Sequence, residues 1–232
     1  MAHLAHYREA HPLPFVITHW INLICMILLI ITGFCIHYPF GLAFMGVARG
    51  VHVFCGFVIT INCLVRVAMA FFVKSAPAGG TRKQVTDIKT WLPQKDNRHQ
   101  GGSWVKYYLF IKRDHPLGAK LGVPQKISYI LIPFLLVIQF ITGFCLWAPV
   151  MDTGFAVALN GLVGGVMNMR IIHYFLMYVF IIFIFIHVYL ANVEGTAPSQ
   201  LMFFWKEHGG DVYDPDSHTI VGHDDLGHAE GK

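Results

Sequence analysis

Along this chain the polar and apolar positions separate into four long apolar stretches and three unequal connections. Apolar runs of about 20 residues are long enough to cross a bilayer as helices. They lie near Phe15–His37, Ala48–Val73, Ile127–Pro149 and Ile171–Val193. No Asp or Glu interrupts them, and Asn22, Asn62, Arg66, Gln139 and several His are the polar exceptions. The pattern predicts an all-α integral membrane protein, a four-transmembrane-helix bundle. A removed signal peptide fits the first run poorly. The head, residues 1–14, carries Arg8 as its only strong base, and no Ala-x-Ala site follows.

Composition agrees. Hydrophobic residues make up 55% of the 232 and charged residues 13%, about half of the roughly 25% of soluble domains. A soluble enzyme, a nucleic-acid binder and a disordered chain are all poor fits. The formal charge of +4 matters by position. Segment 74–126 holds most of the 17 Lys and Arg, whereas the connections near Tyr38–Val47 and Val150–Arg170 have only Arg49 and Arg170 at their far edges. The positive-inside rule puts the long basic loop, and with it both termini, in the cytoplasm. Inside that loop, Trp104–Arg113 mixes aromatic with basic residues and suits either the headgroup layer or a plain solvated loop. The tail, 206–232, is rich in Gly, Asp and His and reads as disordered. Its His208, His218, His223 and His228 are too irregularly spaced for a defined metal site. A single membrane domain, 15–205, remains.

The chain repeats itself. Ile31-Thr32-Gly33-Phe34-Cys35 returns as Ile141-Thr142-Gly143-Phe144-Cys145, and Arg49-x-x-His52 returns as Arg170-x-x-His173. The matches fall at equivalent places in the first and second helix pairs, an arrangement common where ligands sit between halves of a membrane protein. The copies also differ. His19 corresponds to Tyr129, and Arg66 aligns with His187.

Polar side chains in hydrocarbon are costly and are functional candidates. His173 and His187 lie 14 residues apart on the fourth run, about 21 Å of rise and close to four whole turns. They share a face at opposite ends of one span. With the topology above, His52 lies at the outer level with His173, and His19 at the inner level with His187. Two such pairs on separate helices are what bis-histidine haem requires, and a haem buried between helices fits a bundle core. Arg49 and Arg170 each precede an outer histidine by one turn and suit haem propionates, or equally plain interface anchoring. Arg66 follows His52 by 14 residues, on the same face at the inner level, where an inner-haem propionate is the expected anion. His37 reads as an interfacial residue. Gly33, Gly56 and Gly143 permit close approach, either of helices or of a flat macrocycle.

Cys25, Cys35, Cys55, Cys63 and Cys145 all lie in apolar runs, without a Cys-x-x-Cys spacing. Covalent haem, zinc ribbons and local iron–sulfur clusters are therefore unsupported. No phosphate-binding glycine loop or nucleophile elbow occurs. The expected role is electron transfer, with no substrate-oxidising site beyond a quinone pocket.

Thr18-His19-Trp20, Arg49-x-x-His52, Trp104–Arg113 followed by Asp114-His115-Pro116, and His173-x13-His187 resemble the b-type cytochrome subunit of membrane-bound respiratory nickel–iron hydrogenases. They are similar also to the gamma subunit of respiratory formate dehydrogenase. The resemblance spans about Leu13 to Trp205. It implies a multi-pass protein of the bacterial cytoplasmic (inner) membrane with two non-covalent b-type haems: an outer one held by His52 and His173, an inner one by His19 and His187. This matches the pairing read from depth. It further implies iron–sulfur and catalytic subunits docked on the outer face, and a quinone reduced near the cytoplasmic surface. Relatives carry Asn-Pro-x-Gln or Asn-x-Gly-Gln before the third helix. Here the segment is Gly122-Val123-Pro124-Gln125-Lys126, with Gly replacing Asn, and Gln125, Lys126 and His187 are the quinone candidates. Two readings from other classes stand beside this one. A metal-ion transporter would use His and Cys as soft ligands but needs a polar path with intramembrane acids. A cofactor-free membrane anchor would need none of the histidines.

Overall fold

The computed structural model describes residues 3–4, 11–39, 44–76, 84–92, 101–112, 121, 123–192, 197–205, 211–214 and 219–223. Its four long helices are Leu13–His37, Met45–Phe72, Val123–Leu146 and Val166–Asn192, and all four are long and apolar enough to cross a membrane. The all-α membrane bundle expected from the pattern is present. Boundaries moved where local chemistry overrides the apolar count. Gly164 and Gly165, at φ +87° and +113°, turn the chain so that the fourth span starts at Val166, with Asn168 and Arg170 in its first turns. The third starts at Val123 and holds Pro124 in its first turn, where a missing N–H costs nothing. The connection between the third and fourth spans contains the helix Gly154–Leu162, whose Thr153 cap accepts from the Ala156 N–H.

The chain forms two compact units. One comprises Ile17–Val65 and Ile132–Tyr189, and so contains the greater part of all four spans. Its core joins Cys25, Cys55, Ile59, Leu136 and Phe180. A second cluster packs Cys145, Ala156 and Met169. Asn22 and Asn62 satisfy each other: Asn62 Nδ2 donates to Asn22 Oδ1 at 2.7 Å and to the Thr18 carbonyl at 2.7 Å, which ties the first span to the second without water. Large apolar side chains such as Ile24, Ile31, Phe54, Ile61, Phe134, Phe175 and Phe185 stay exposed. That is the surface hydrocarbon chains require.

The other unit comprises Met1–Val16, Arg66–Leu131 and Leu190–Lys232. At its centre is Asp87, fully buried. Its carboxylate accepts from Arg66 Nη2 at 2.8 Å, Ser75 Oγ at 2.7 Å and Trp91 Nε1 at 3.1 Å. Strands Lys74–Ser75 and Val85–Thr86 pair antiparallel beside it. Ala70, Trp91 and Leu121 pack with Tyr129, and the Arg66 guanidinium lies 3.8 Å over the Phe15 ring. The helix Gly101–Tyr108 buries Trp104 while exposing Val105, with Leu109, Phe110 and Ile111 beyond its end and Lys106 and Lys112 beside them. That mixed apolar and cationic edge suits the headgroup layer better than bulk water.

One expectation is corrected. The tail read as disordered carries strands Asp211–Asp214 and Thr219–His223, which pair with each other and with His3–Leu4. Short β-favouring runs, Val212-Tyr213 and Thr219-Ile220-Val221, supply the pairing despite the polar composition. Arg113, the Asp114-His115-Pro116 motif, Gly122, His208, His218 and His228 lie outside the described residues.

Because Asp87 is the buried counter-ion of Arg66, its removal leaves a charge without compensation. Asp87→Ala is expected to destabilise the protein by about 3–5 kcal/mol, read from thermal unfolding in detergent. Arg66→Met combined with Asp87→Leu is expected to lie closer to wild type than Asp87→Ala alone.

Candidate functional site

The candidate site is assembled from the repeated motifs. His52, on the second span, and His173, on the fourth, bring their ring centres to 6.3 Å. His19, on the first span, and His187, on the fourth, bring theirs to 6.1 Å. The pairing expected from depth is therefore the pairing in space. His19, His52 and His173 are half-buried and His187 is exposed, with Phe183 stacked against it.

Around the His52–His173 pair the two copies of the repeat act alike. Thr32 Oγ1 lies 2.9 Å from His52 Nδ1, and Thr142 Oγ1 lies 2.9 Å from His173 Nδ1. Next to each threonine sits the repeat glycine. A Cβ at Gly33 would meet Met177 Sδ at 3.3 Å and His52 Cε1 at 3.5 Å, and one at Gly143 would meet His173 Cε1 at 2.8 Å. These glycines leave room for imidazoles rather than for neighbouring backbone. A Cβ at Gly56 would meet nothing within 4 Å, so that glycine has no comparable role.

The donor set fits a haem. Two imidazoles bound through one nitrogen each on opposite sides of a metal, at about 2.0–2.1 Å, hold their ring centres about 6.2–6.4 Å apart. The His52–His173 rings lie at that separation and the His19–His187 rings just short of it. Gln139 Nε2 stands 3.4 Å from His173 Nε2, long for a hydrogen bond, and its Oε1 is buried with no partner. An amide so poorly satisfied is easily displaced from the ring nitrogen. Among the described residues no three His, Cys, Asp or Glu gather as a metal site. Each histidine pair offers two protein donors, the number that bis-histidine haem uses.

The other expected residues divide. Arg49 and Arg170 are exposed, one turn before His52 and His173, and keep their positions as candidates for an anionic group. Arg66 pairs through Nη2 with Asp87, a carboxylate of the protein's own basic loop, while its Nη1 is buried without a hydrogen-bond partner. Lys126 Nζ donates to the Leu92 carbonyl at 2.9 Å. Gln125 is exposed. Both belong to the unit around Asp87, while His187 belongs to the other. His37 stacks on Tyr174 with ring centres 3.8 Å apart.

Sequence reasoning missed the two threonines. The signal was present, because Thr precedes Gly in both copies, but the repeat alone did not tell which helix each hydroxyl reaches. It also missed Asp87, an acid hidden in a loop whose charge is otherwise basic.

The profile of the family described as prokaryotic cytochrome b561 matches residues 10–204. No curated protein sequence matches the chain.

The glycines set an order of sensitivity. Gly143→Ala forces a ring to move, whereas Gly33→Ala mainly displaces the end of a flexible methionine. Haem content of the purified protein, measured by pyridine haemochrome, is expected to fall to about half in Gly143→Ala, with one histidine pair lost. In Gly33→Ala it is expected to stay near wild type. Equal content in both variants would contradict the assigned cradle.

Proposed function

This chain belongs to the prokaryotic cytochrome b561 family, a multi-pass b-type cytochrome of the bacterial inner membrane, and on that basis we propose that it is the dihaem membrane subunit of a respiratory oxidoreductase. In this reading it anchors an iron–sulfur subunit and a catalytic subunit, with a nickel–iron hydrogenase as the first choice, on the outer face. It connects them electrically to a quinone near the cytoplasmic face, with both termini in the cytoplasm. A respiratory formate dehydrogenase, which uses the same kind of cytochrome, is the second reading. The observation that carries the proposal is the pair of histidine couples, 6.3 Å and 6.1 Å between ring centres, at two levels about 21 Å apart along one helix.

Each bound haem would supply a one-electron ferric–ferrous couple. The chain's own residues do the rest. His52 with His173, and His19 with His187, would hold the haems through their imidazole nitrogens. Gly33 and Gly143 keep backbone and side-chain bulk away from the imidazoles. The apolar cluster of Cys25, Cys55, Ile59, Leu136 and Phe180 keeps water out of the bundle interior, lowering the local dielectric. Arg49 and Arg170, exposed near the end of the bundle, would receive acidic groups. Gln125 and Lys126, in the unit around Asp87, are the proposed quinone contacts, with the Lys126 ammonium already held by the Leu92 carbonyl.

The test is a spectrum of the purified complex with its co-purifying subunits identified. Low-spin b-type haem at about two per chain is expected. His173→Ala is expected to leave about one haem and to stop electron delivery to quinone. A folded complex without haem would sink the reading, and intact quinone reduction in His173→Ala would favour a cofactor-free anchor.

A further inference from the structure

Thr32 and Thr142 occupy the same place in the two copies of Ile-Thr-Gly-Phe-Cys, and each hydroxyl meets the Nδ1 of the histidine from its own Arg-x-x-His at 2.9 Å. A threonine hydroxyl has one proton and two lone pairs. In Thr32 that proton goes to the Leu28 carbonyl at 2.6 Å, and in Thr142 to the Ile138 carbonyl at 2.9 Å. The second carbonyls in reach, Leu29 at 3.3 Å and Gln139 at 3.0 Å, can only accept as well. Each oxygen is left with lone pairs to offer the imidazole. The imidazole nitrogen must therefore donate, so Nδ1 carries the ring proton and Nε2 carries the free lone pair.

We propose that Thr32 and Thr142 are positioning residues that fix the tautomer of His52 and His173, so that both present Nε2 to one haem iron and hold that haem at a lower potential than the haem of His19 and His187. The inference deepens the ligand pairing proposed above and rests on it. An acceptor on the far ring nitrogen orients the ligand and raises its basicity. A stronger donor favours ferric iron and lowers the midpoint potential, since second-shell hydrogen bonding is one of the protein's levers on haem. At the other level His19 Nδ1 is buried and has no hydrogen-bond partner. The two levels are thereby made unequal, with the downhill direction running from His52–His173 to His19–His187.

The experiment compares the full-length protein, purified as its complex, with Thr32→Val, Thr142→Val, Thr32→Ser and Thr142→Ser. Valine keeps the shape and loses the hydroxyl; serine keeps the hydroxyl. Haem per chain and an optical redox titration are the readouts. The valine variants are expected to move the lower midpoint upward, leave the higher one in place, and weaken haem retention at that level by about 10-fold or more. The serine variants are expected to behave as wild type. Loss of that haem in valine but not serine variants supports the same role. Unmoved midpoints, a shift confined to the higher-potential haem, or equal loss in valine and serine variants would overturn it. A wild-type complex with no haem would instead overturn the ligand pairing itself, before the threonines enter.

Discussion

A polar group inside a bilayer has no water to turn to, so each one must find its partner within the chain. The spans of this protein carry few such groups, and their partners explain much of the structure. Asn62 reaches Asn22 and a helix carbonyl. Thr32 and Thr142 return their protons to their own helices while accepting from histidines on neighbouring spans. Arg66 meets Asp87, carried in by the loop between the second and third spans. Each of these bonds joins two segments that the apolar surfaces alone would leave free to slide or rotate.

The internal repeat takes on physical meaning in that light. At the level of His52 and His173 the two copies use the same device, a threonine and a glycine from one helix serving a histidine on the next. At the other level the copies part company. Where the second copy has His187 the first has Arg66, and Arg66 is paired with a carboxylate of the chain. The histidine that matches His187 comes from His19 instead, at a position where the second copy has Tyr129. Symmetry is thus kept at one level and replaced at the other, which gives two sites of the same ligand chemistry different surroundings.

The spans were legible because about 20 uninterrupted apolar residues have few alternatives. The histidine pairs were legible because helical rise converts sequence separation into depth. What could not be read was any contact whose two ends are set by tertiary packing. Arg66 and Asp87 are 21 positions apart with a small strand pair between them, and nothing in that segment's pattern marks the acid as buried. A buried guanidinium needs an anion, but depth alone could not name Asp87 as the one the chain supplies. The tail hairpin was hidden for a different reason. Its composition is that of a disordered segment, and the pairing rests on a few β-branched and aromatic residues.

Among the readings that compete, the glycine and threonine positions weigh most. A membrane anchor needs only apolar helix surfaces, and a glycine in a helix interior costs about 1 kcal/mol relative to alanine. At Gly33 and Gly143 that cost falls beside an imidazole, with Met177 sharing the contact at Gly33. The chain also buries two threonine hydroxyls to hold those imidazoles in one tautomer, leaving the opposite ring nitrogen as a lone-pair donor. A transporter that passes a metal ion along its ligands gains nothing from freezing them, because a cargo site must release as readily as it binds. Ligands locked in orientation, paired across helices at the span of two metal–imidazole bonds, suit an ion that stays. An electron can then move through the protein while the metal that carries it remains where it is.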